Sequence, residues 1–373
     1  MIRAPVNPHS HLHSSDRLHQ HRAWVEVDFH ALVENARAVA KASGAPLIPV
    51  IKADAYGLGA VGAAKALEVL EPWGYAVATV EEGVELRGAG IDRRLLVFAP
   101  VEPSRFAEFE WYQLTPVFDH LPALREWRLR GTRAFHVEID TGMSRTGVRP
   151  EQLGEWREAL DTPAFEGCFT QFHSAHRDVE ATVAQWEKLT QAVGAMPHRP
   201  TVVHAANSAA ALRGAAFAGD AVRPGIFMYG GDPGKGLPEG KPVARVLARV
   251  LSVRRIQAGD SVGYGATWHA PKATTIATLG IGYADGVRRS VVKSSDAHVL
   301  WKGARYPYAG VITMDLTMID VGDARVERAD IVTLLGADGG ELISLAQLAS
   351  WSAESQYVIL TGLGPRLPRV PVP

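Results

Sequence analysis

Short apolar runs alternate with longer stretches of helical periodicity between residues 46 and 225. The apolar runs are 46–51, 74–78, 95–98, 113–118, 133–139, 164–169, 200–203 and 221–225, and the helical patterns include Val80–Ala89, Leu121–Arg130, Pro150–Leu160 and Val179–Ala195. Eight strands in alternation with helices predict an α/β fold, a (β/α)8 barrel of the TIM type. In such barrels the chemistry lies on the loops after the carboxyl ends of the strands. Reactive side chains directly after the predicted strands are therefore the candidates for function.

The pattern changes after the Gly- and Pro-rich stretch 230–242, which is typical of a linker. The segments that follow are the short β patterns 243–257, 273–281, 297–301, 304–308, 317–321 and 330–335, with one helix, Leu345–Trp351. We predict a barrel domain over 22–240 and a smaller, mainly β domain over 241–373, which the strand pattern at Trp24–Val27 joins. A length of 373 residues also suits two domains better than one.

Composition excludes several classes of function. The formal net charge of −1 gives no basic face, so nucleic acid is not an expected partner. No apolar run is long enough to cross a bilayer, and the single cysteine, Cys168, suits the cytoplasm. Residues 1–21 carry five histidines but no apolar signal-peptide core, so we expect a disordered tail rather than a metal site.

One lysine stands at the end of the first predicted barrel strand. The run Leu47–Ile51 ends on Lys52, and small or turn-forming residues follow up to Gly59, with Tyr56 among them. Burial disfavours the charged ammonium, and a lysine whose pKa is lowered in this way forms Schiff bases readily. The structural alternative is a lysine that extends from the barrel rim into solvent.

Other polar side chains follow later strands. The motif HVEIDTGMSRTG predicts a tight turn at Asp140–Gly142 followed by Arg145, which on its own also fits a capped turn with a surface arginine. In VVHAANSAAAL, Ser208 starts a predicted helix, where a hydroxyl and backbone N–H groups bind phosphate or simply cap the helix. In VRPGIFMYG, Arg223 ends the eighth strand and is expected to point inward.

Three motifs of the second predicted domain contain further candidate site residues. GDSVGYGATW places Tyr264 between glycines, GIGYADG contains Tyr283, and AGVITMDLTMIDVG contains Met314 and Asp315. Each alone also fits an ordinary turn.

Taken together, these motifs resemble those of the alanine racemases, pyridoxal-phosphate enzymes of the barrel type. The resemblance extends from about residue 22 to residue 370, and the joint order and spacing of the motifs are specific. It implies that Lys52 carries pyridoxal 5'-phosphate and serves as one catalytic base. It also implies a homodimer in which Tyr264 reaches across from the partner subunit as the second base.

The resemblance further implies which residues hold the cofactor and the substrate. Arg145 would bind the ring hydroxyl and the substrate carboxylate, and Arg223 would face the pyridine nitrogen. The implied cofactor-binding residues are Lys52, Tyr56, Arg145, Gln171, Ser208, Arg223, Gly225, Ile226 and Tyr229. The implied substrate-binding residues are Arg145, Tyr283, Met314 and Asp315, with L-alanine and D-alanine as substrates and no metal.

The chain departs from the family pattern at several positions. Glu138 stands where many members have a carbamylated lysine, and we expect it to tune Arg145 by presenting an anion to it. Gln171 replaces a histidine that, in the family, links the catalytic tyrosine to the arginine facing the pyridine nitrogen, here Tyr264 and Arg223. His173 either compensates for the missing histidine or is a plain loop residue. The other departures are Val311, where arginine is common, and Pro365, where some members have a phosphate-binding tyrosine.

We therefore expect an alanine racemase with one base on each face of the substrate, supplying D-alanine for peptidoglycan. One alternative is a racemase of broader amino-acid specificity, which depends on the size of the pocket near Tyr264, Tyr283 and Met314. Another is a pyridoxal-phosphate carrier protein without turnover. Such carriers resemble the barrel alone, so the β domain and Tyr264 argue against them.

Overall fold

The computed structural model describes residues 21–372 and contains two compact units. The first unit consists chiefly of Val27–Ala244 and Ser355–Thr361; the second contains Arg245–Glu354, Gly362–Val370 and residues 21–26. The units therefore differ from a single division at residue 240, because the chain returns to the first unit at 355–361. Apart from its last residue, the predicted tail over 1–21 lies outside the described residues.

The N-terminal strand and helix follow from local signals. Strand β1, Ala23–Asp28, leads into helix α1, Phe29–Ser43, and the Asp28 carboxylate accepts a hydrogen bond from Ala31 N at 2.8 Å. This is the N-cap that the sequence predicts, and Gly44 ends the helix with φ 65°. The helix buries its apolar face.

Six parallel strands form the main sheet of the first unit and pair in chain order. They are β2 (Gly74–Val77), β3 (Arg94–Pro100), β4 (Thr115–Phe118), β5 (Phe135–Glu138), β6 (Phe165–Phe169) and β7 (Val202–His204). Most residues of these strands are buried, as continuous apolar runs in a parallel sheet predict, and the exceptions lie mainly at the ends of β3.

Two shorter segments close this sheet into a ring. Val50 pairs with Ala76 of β2, Leu47 pairs with Val222, and Ala221 pairs with His204 of β7, all in parallel. The segments at 47–50 and 221–222 supply the first and eighth strand positions. The predicted (β/α)8 barrel is therefore confirmed.

Both closing segments are reduced to single bridges because prolines interrupt them. Pro49 and Pro224 lack an N–H and cannot donate to the ladder, although their carbonyls accept hydrogen bonds from Ala76 N and Val50 N at 3.0 and 2.9 Å.

The remaining helices of the first unit are five to 17 residues long. They are α2 (Ala60–Leu67), α3 (Val80–Gly88), α4 (Phe106–Trp111), α5 (Leu121–Leu129), α6 (Leu153–Leu160), α7 (Val179–Ala195), α8 (Ser208–Leu212) and α10 (Gln356–Thr361). The predicted helix Pro150–Leu160 is divided into a 3-10 turn, Pro150–Gln152, and α6.

The second unit is mainly β, as predicted. Its nine-stranded sheet contains β1, β8 (Ala244–Ile256), β11 (Thr274–Leu279), β12 (His298–Trp301), β13 (Ala304–Pro307), β14 (Thr317–Gly322), β15 (Ile331–Asp338), β16 (Glu341–Ile343) and β17 (Arg369–Val372). β1 lies between β8 and β17. A separate hairpin joins β9 (Ser261–Val262) to β10 (Trp268–His269), and α9 (Leu345–Ser352) is the predicted helix.

Candidate active site

The segment after Lys52 is one turn of left-handed helix. The four residues Ala53–Tyr56 have φ of 52°, 54°, 51° and 57°. This hand brings Cβ too close to the following carbonyl oxygen and costs roughly 1–2 kcal/mol per residue. Asp54 supports the turn, since its carboxylate accepts from Ala60 N at 2.7 Å and its carbonyl from Gly59 N at 2.9 Å. Backbone strain of this kind is concentrated at functional sites.

Lys52 is half-buried at the carboxyl end of the first strand position. Burial lowers the pKa of its ammonium, and the positive charges of Arg145 and Arg223 lower it further, while Glu82 acts in the opposite direction. An amine in such an environment is suited to act as a nucleophile or a base. A solvent-extended rim lysine would have no such environment.

Arg223 lies buried, with both terminal nitrogens held by fixed acceptors. One donates to the carbonyl and to Nδ1 of His204, each at 2.7 Å, and the other donates to the Thr170 carbonyl at 2.8 Å. The ring of Phe169 lies 4.8 Å from the guanidinium carbon. Burial lowers the pKa of Arg223 to about 10, with Arg145 adding to this and Glu138 opposing it. The guanidinium still keeps its charge at neutral pH.

A buried hydrogen-bond chain extends behind Arg223. Because an arginine only donates, His204 Nδ1 must accept, and His204 Nε2 then faces His136 Nδ1 at 2.9 Å. His136 Nε2 in turn lies 3.4 Å from the carboxylate of Glu166, which also pairs with Arg94 at 3.1 Å. Burial lowers the pKa of both histidines, so the chain is neutral between its charged ends.

Several hydrogen-bond donors converge on Ser208. Its hydroxyl oxygen accepts from Gly225 N at 2.9 Å and from Phe227 N at 3.3 Å, and Ile226 N has no partner within residues 21–372. The Tyr56 hydroxyl approaches so closely that a Cβ on Gly225 would lie 2.4 Å from it. Backbone N–H groups and hydroxyls arranged around one point are suited to an anion such as phosphate.

Four predicted residues lie in the second unit. Tyr264 follows β9 in the separate hairpin and is 77% exposed, and Met314 and Tyr283 are 53% and 41% exposed. Met314 N makes no hydrogen bond within residues 21–372, whereas the Met314 carbonyl accepts from Ala284 N at 3.0 Å. The Asp315 carboxylate accepts from Arg366 at 2.8 Å.

A buried carboxylate holds the loops that carry these residues. Asp285 is 1% exposed and accepts from both Arg22 and Arg366, at 3.1 and 2.9 Å, and from Gly282 N at 2.9 Å. Arg22 also donates to the Asp315 carbonyl at 3.0 Å. Asp285 thereby fixes the segments of Tyr283 and Met314 to each other.

Comparison with known proteins agrees with this geometry. Residues 27–233 match the family model of the alanine racemase N-terminal domain, and residues 243–371 match that of the C-terminal domain. Alanine racemase of Carboxydothermus hydrogenoformans is 37% identical over 364 residues, 93% of this chain and 98% of the relative. The chain belongs to the alanine racemase family.

Solved structures of this family also have the same fold. A crystal structure of alanine racemase from E. faecalis superposes with a TM-score of 0.88 at 29% identity, covering 95% of this chain and 99% of that one. Alanine racemase from Bartonella henselae, with covalently bound pyridoxal phosphate, superposes with a TM-score of 0.85 at 27% identity, covering 94% and 100%. The family, the fold class and an isomerase of this type are thus confirmed as predicted.

The alternative of a carrier protein loses support for the reason given by the sequence. Such proteins resemble the barrel alone, whereas the family's second domain is matched over 243–371. Within residues 21–372, no helix combines the length and apolarity needed to cross a membrane, and no group of three or more side chains is arranged to hold a metal ion.

Glu138 departs from the alanine racemase pattern and lies where the sequence places it, at the end of β5. It is buried, and its carboxylate accepts from the Thr146 hydroxyl at 2.7 Å. Burial raises its pKa, while the charges of Arg145 and Arg223 lower it. No direct bond joins Glu138 to Arg145 within the described residues, and the two charges interact only at longer range.

Gln171 lies next to Arg223, as the resemblance implies, but the contact is long. The Arg223 guanidinium donates to Gln171 Oε1 at 3.4 Å, and the Gln171 amide donates to the Phe172 carbonyl at 3.4 Å. His173 is exposed, and its Nδ1 bonds the Ser174 hydroxyl at 2.7 Å. The structure therefore favours a plain loop histidine over a replacement for the missing ring.

Tyr229 is placed to support Tyr56. The two rings stack at 4.5 Å, and the Tyr229 hydroxyl donates to the Val50 carbonyl at 2.9 Å. The ring of Tyr357 also contacts that of Tyr56, with the ring centroids 5.9 Å apart. Its contribution was missed because residue 357 lies far along the chain, within the predicted second domain.

Other residues that sequence reasoning missed had weak signals. His204 lies inside the quoted VVHAANS motif and His136 inside HVEIDTG, but strand alternation alone does not reveal a pair facing each other. Glu82 had a local signal, the capping box Thr79-x-x-Glu82. The further contact of the Glu82 carboxylate with Ala53 N is revealed only by the fold.

Proposed function

We propose that this chain is an alanine racemase that uses pyridoxal phosphate to interconvert L-alanine and D-alanine. The observation that carries the proposal is the placement of two arginines beside Lys52 at one end of the barrel, where the charges of Arg145 and Arg223 both lower the pKa of the lysine. Gathered cations are costly unless an anion neutralises them. A phosphate-bearing cofactor and a substrate carboxylate are such anions.

The residues of the site fit this cofactor. Gly225 N, Ile226 N and the hydroxyls of Ser208 and Tyr56 would hold the phosphate, and Lys52 would hold the aldehyde end. Arg223 would donate to the ring nitrogen and, because it cannot give up its proton to that nitrogen, would leave it unprotonated. Pyridoxal phosphate, when bound, acidifies the α-proton of an attached amino acid.

Two bases then move the proton. Lys52 takes or returns the α-proton on one face, and its lowered pKa favours the neutral amine that a base requires. Tyr264 of the partner subunit serves the opposite face. Removal of the α-proton by one base and return of a proton by the other inverts the centre. Arg145 and the free Met314 N–H would hold the carboxylate, and Tyr283 and Asp315 would border the entrance.

The assembly we propose is a two-fold homodimer in the cytoplasm that supplies D-alanine for peptidoglycan. The exposure of Tyr264, Tyr283 and Met314 supports the homodimer, since large side chains involved in chemistry are seldom left to solvent. A closed isologous pair makes two identical composite sites.

The test is enantiomer conversion by the pure protein together with mapping of the cofactor lysine. We expect L-alanine to approach a racemic mixture, and borohydride to fix the cofactor on Lys52. Lys52→Ala should abolish both, whereas Lys65→Ala, an exposed lysine of α2, should change neither. A label on another lysine, or no conversion by the loaded protein, would refute the assignment. Conversion of larger amino acids at similar rates would favour the broader racemase.

A further inference from the structure

The carboxylate of Glu82 joins two neighbouring strand ends of the barrel. Its Oε1 accepts from Ala53 N at 2.6 Å, and its Oε2 accepts from Ala78 N at 2.6 Å and Thr79 N at 3.2 Å. Ala53 is the first residue after Lys52, and Ala78 directly follows β2.

These contacts exceed what the helix α3 needs. In a capping box, the side chain of the third helical residue needs only to accept a hydrogen bond from the N-cap N–H, here that of Thr79. The bonds to Ala78 and Ala53 use the remaining acceptor capacity of the carboxylate on two other segments. The bond to Ala53 holds the first peptide of the strained left-handed turn.

The charge of Glu82 also acts on the lysine itself. Burial, Arg145 and Arg223 all lower the pKa of Lys52, and Glu82 raises it. The same carboxylate thus holds the backbone on which Lys52 is carried and opposes the positive field around its amine.

We propose that Glu82 is a positioning residue for Lys52, fixing the start of the left-handed turn against the end of β2 and supplying a balancing negative charge. The inference rests on the proposed function and adds a residue to it. A carboxylate is required because all its partners are donors. In a carboxamide one end is an NH2 group, which would face an N–H group instead of accepting from it.

The experiment compares Glu82→Gln with Glu81→Gln, the neighbouring residue of α3. Glu81 is exposed and pairs with Arg105 at 2.8 Å, so its variant removes the same charge from the same helix turn without touching Ala53. The reactivity of Lys52 toward reductive methylation is measured against pH in the cofactor-free protein by peptide mass spectrometry. Lys65 is the internal reference, and the rate of pyridoxal-phosphate release is measured separately.

In Glu82→Gln we expect the Lys52 titration midpoint to fall and cofactor release to quicken by about tenfold or more. Lys65 should be unchanged, and Glu81→Gln should match the wild type in both measurements. Glu82→Asp keeps the charge but loses reach, so its midpoint should stay near that of the wild type while release quickens.

A lowered melting temperature with an unchanged Lys52 midpoint would reduce Glu82 to a helix cap and overturn the proposal. If Glu82→Gln does not fold, Glu82→Asp decides: faster release at an unchanged melting temperature supports positioning, and wild-type release refutes it. Failure of the proposed function is distinguishable, since the wild type itself would then carry no cofactor on Lys52.

Discussion

At Gly57, the turn that contains Lys52 and Tyr56 lies in close contact with the returning segment 355–361. Its φ is +84°, and a Cβ built on it would lie 2.6 Å from the backbone carbonyl oxygen of Leu360. Gly57→Ala should therefore destabilise the protein in two separable ways. It forces an alanine into the left-handed region, and it pushes the turn away from Leu360.

The two contributions have different sizes. An L-residue in this backbone region costs roughly 1–2 kcal/mol. The overlap with a backbone oxygen, which cannot rotate away, adds about 1–3 kcal/mol by analogy with overpacked cores. We therefore expect a loss of about 2–5 kcal/mol in the free energy of unfolding.

Gly44→Ala separates these contributions. Gly44 has φ +65°, and no atom lies within 4 Å of a Cβ placed on it, so this variant carries the backbone cost alone. Urea unfolding of both variants, followed by circular dichroism, should show Gly57→Ala to be less stable than Gly44→Ala by about 1–3 kcal/mol. Gly57→Ala should also release the cofactor faster, because Tyr56 moves with it. Equal destabilisation by the two substitutions would refute the close approach to Leu360.

Three further predictions concern the chemistry of the site. Glu138→Gln should raise the KM for alanine or lower turnover about tenfold, because it removes a buried negative charge near Arg223, and the wild type should be indifferent to bicarbonate; wild-type kinetics in the variant would contradict this. Gln171→His should shift the limb of the pH–rate profile assigned to Tyr264, since it introduces an ionisable ring, and an unchanged profile would place Gln171 outside the network. Lys52→Ala and Tyr264→Phe, each inactive, should regain activity when refolded together, because one site of each mixed dimer has both intact residues; a verified but inactive heterodimer would exclude shared sites.

Much of the barrel could be predicted because its signals are local. Continuous apolar runs and intervening amphipathic helices mark the parallel strands, and reactive residues directly after them, such as Lys52 and Arg223, are brought to one edge by the topology itself. Ser208 and Gly225, which the resemblance groups together, follow adjacent strand positions and meet at 2.9 Å.

The rest depends on contacts between distant parts of the chain. No local propensity predicts four consecutive non-glycine residues at positive φ, because tertiary contacts stabilise the turn at Ala53–Tyr56. Periodicity likewise does not reveal the return of 355–361 to the first unit or the tilted contact of the Tyr357 ring with the Tyr56 ring. Glu138 makes no direct bond to Arg145 within the described residues, and its carboxylate instead accepts from Thr146, a contact that local sequence does not predict.

The left-handed turn reverses the usual meaning of a glycine substitution. Summed over Ala53–Tyr56, its conformational cost is roughly 4–8 kcal/mol, comparable with the net stability of about 5–15 kcal/mol of a whole domain. In a right-handed helix glycine weakens the structure, but at Ala53 or Ala55 it would relieve this cost and raise the melting temperature. The same freedom would loosen the backbone that carries Lys52. At these two positions the melting temperature should therefore rise while the turnover number falls. Selection for higher thermal stability would then produce a slower enzyme.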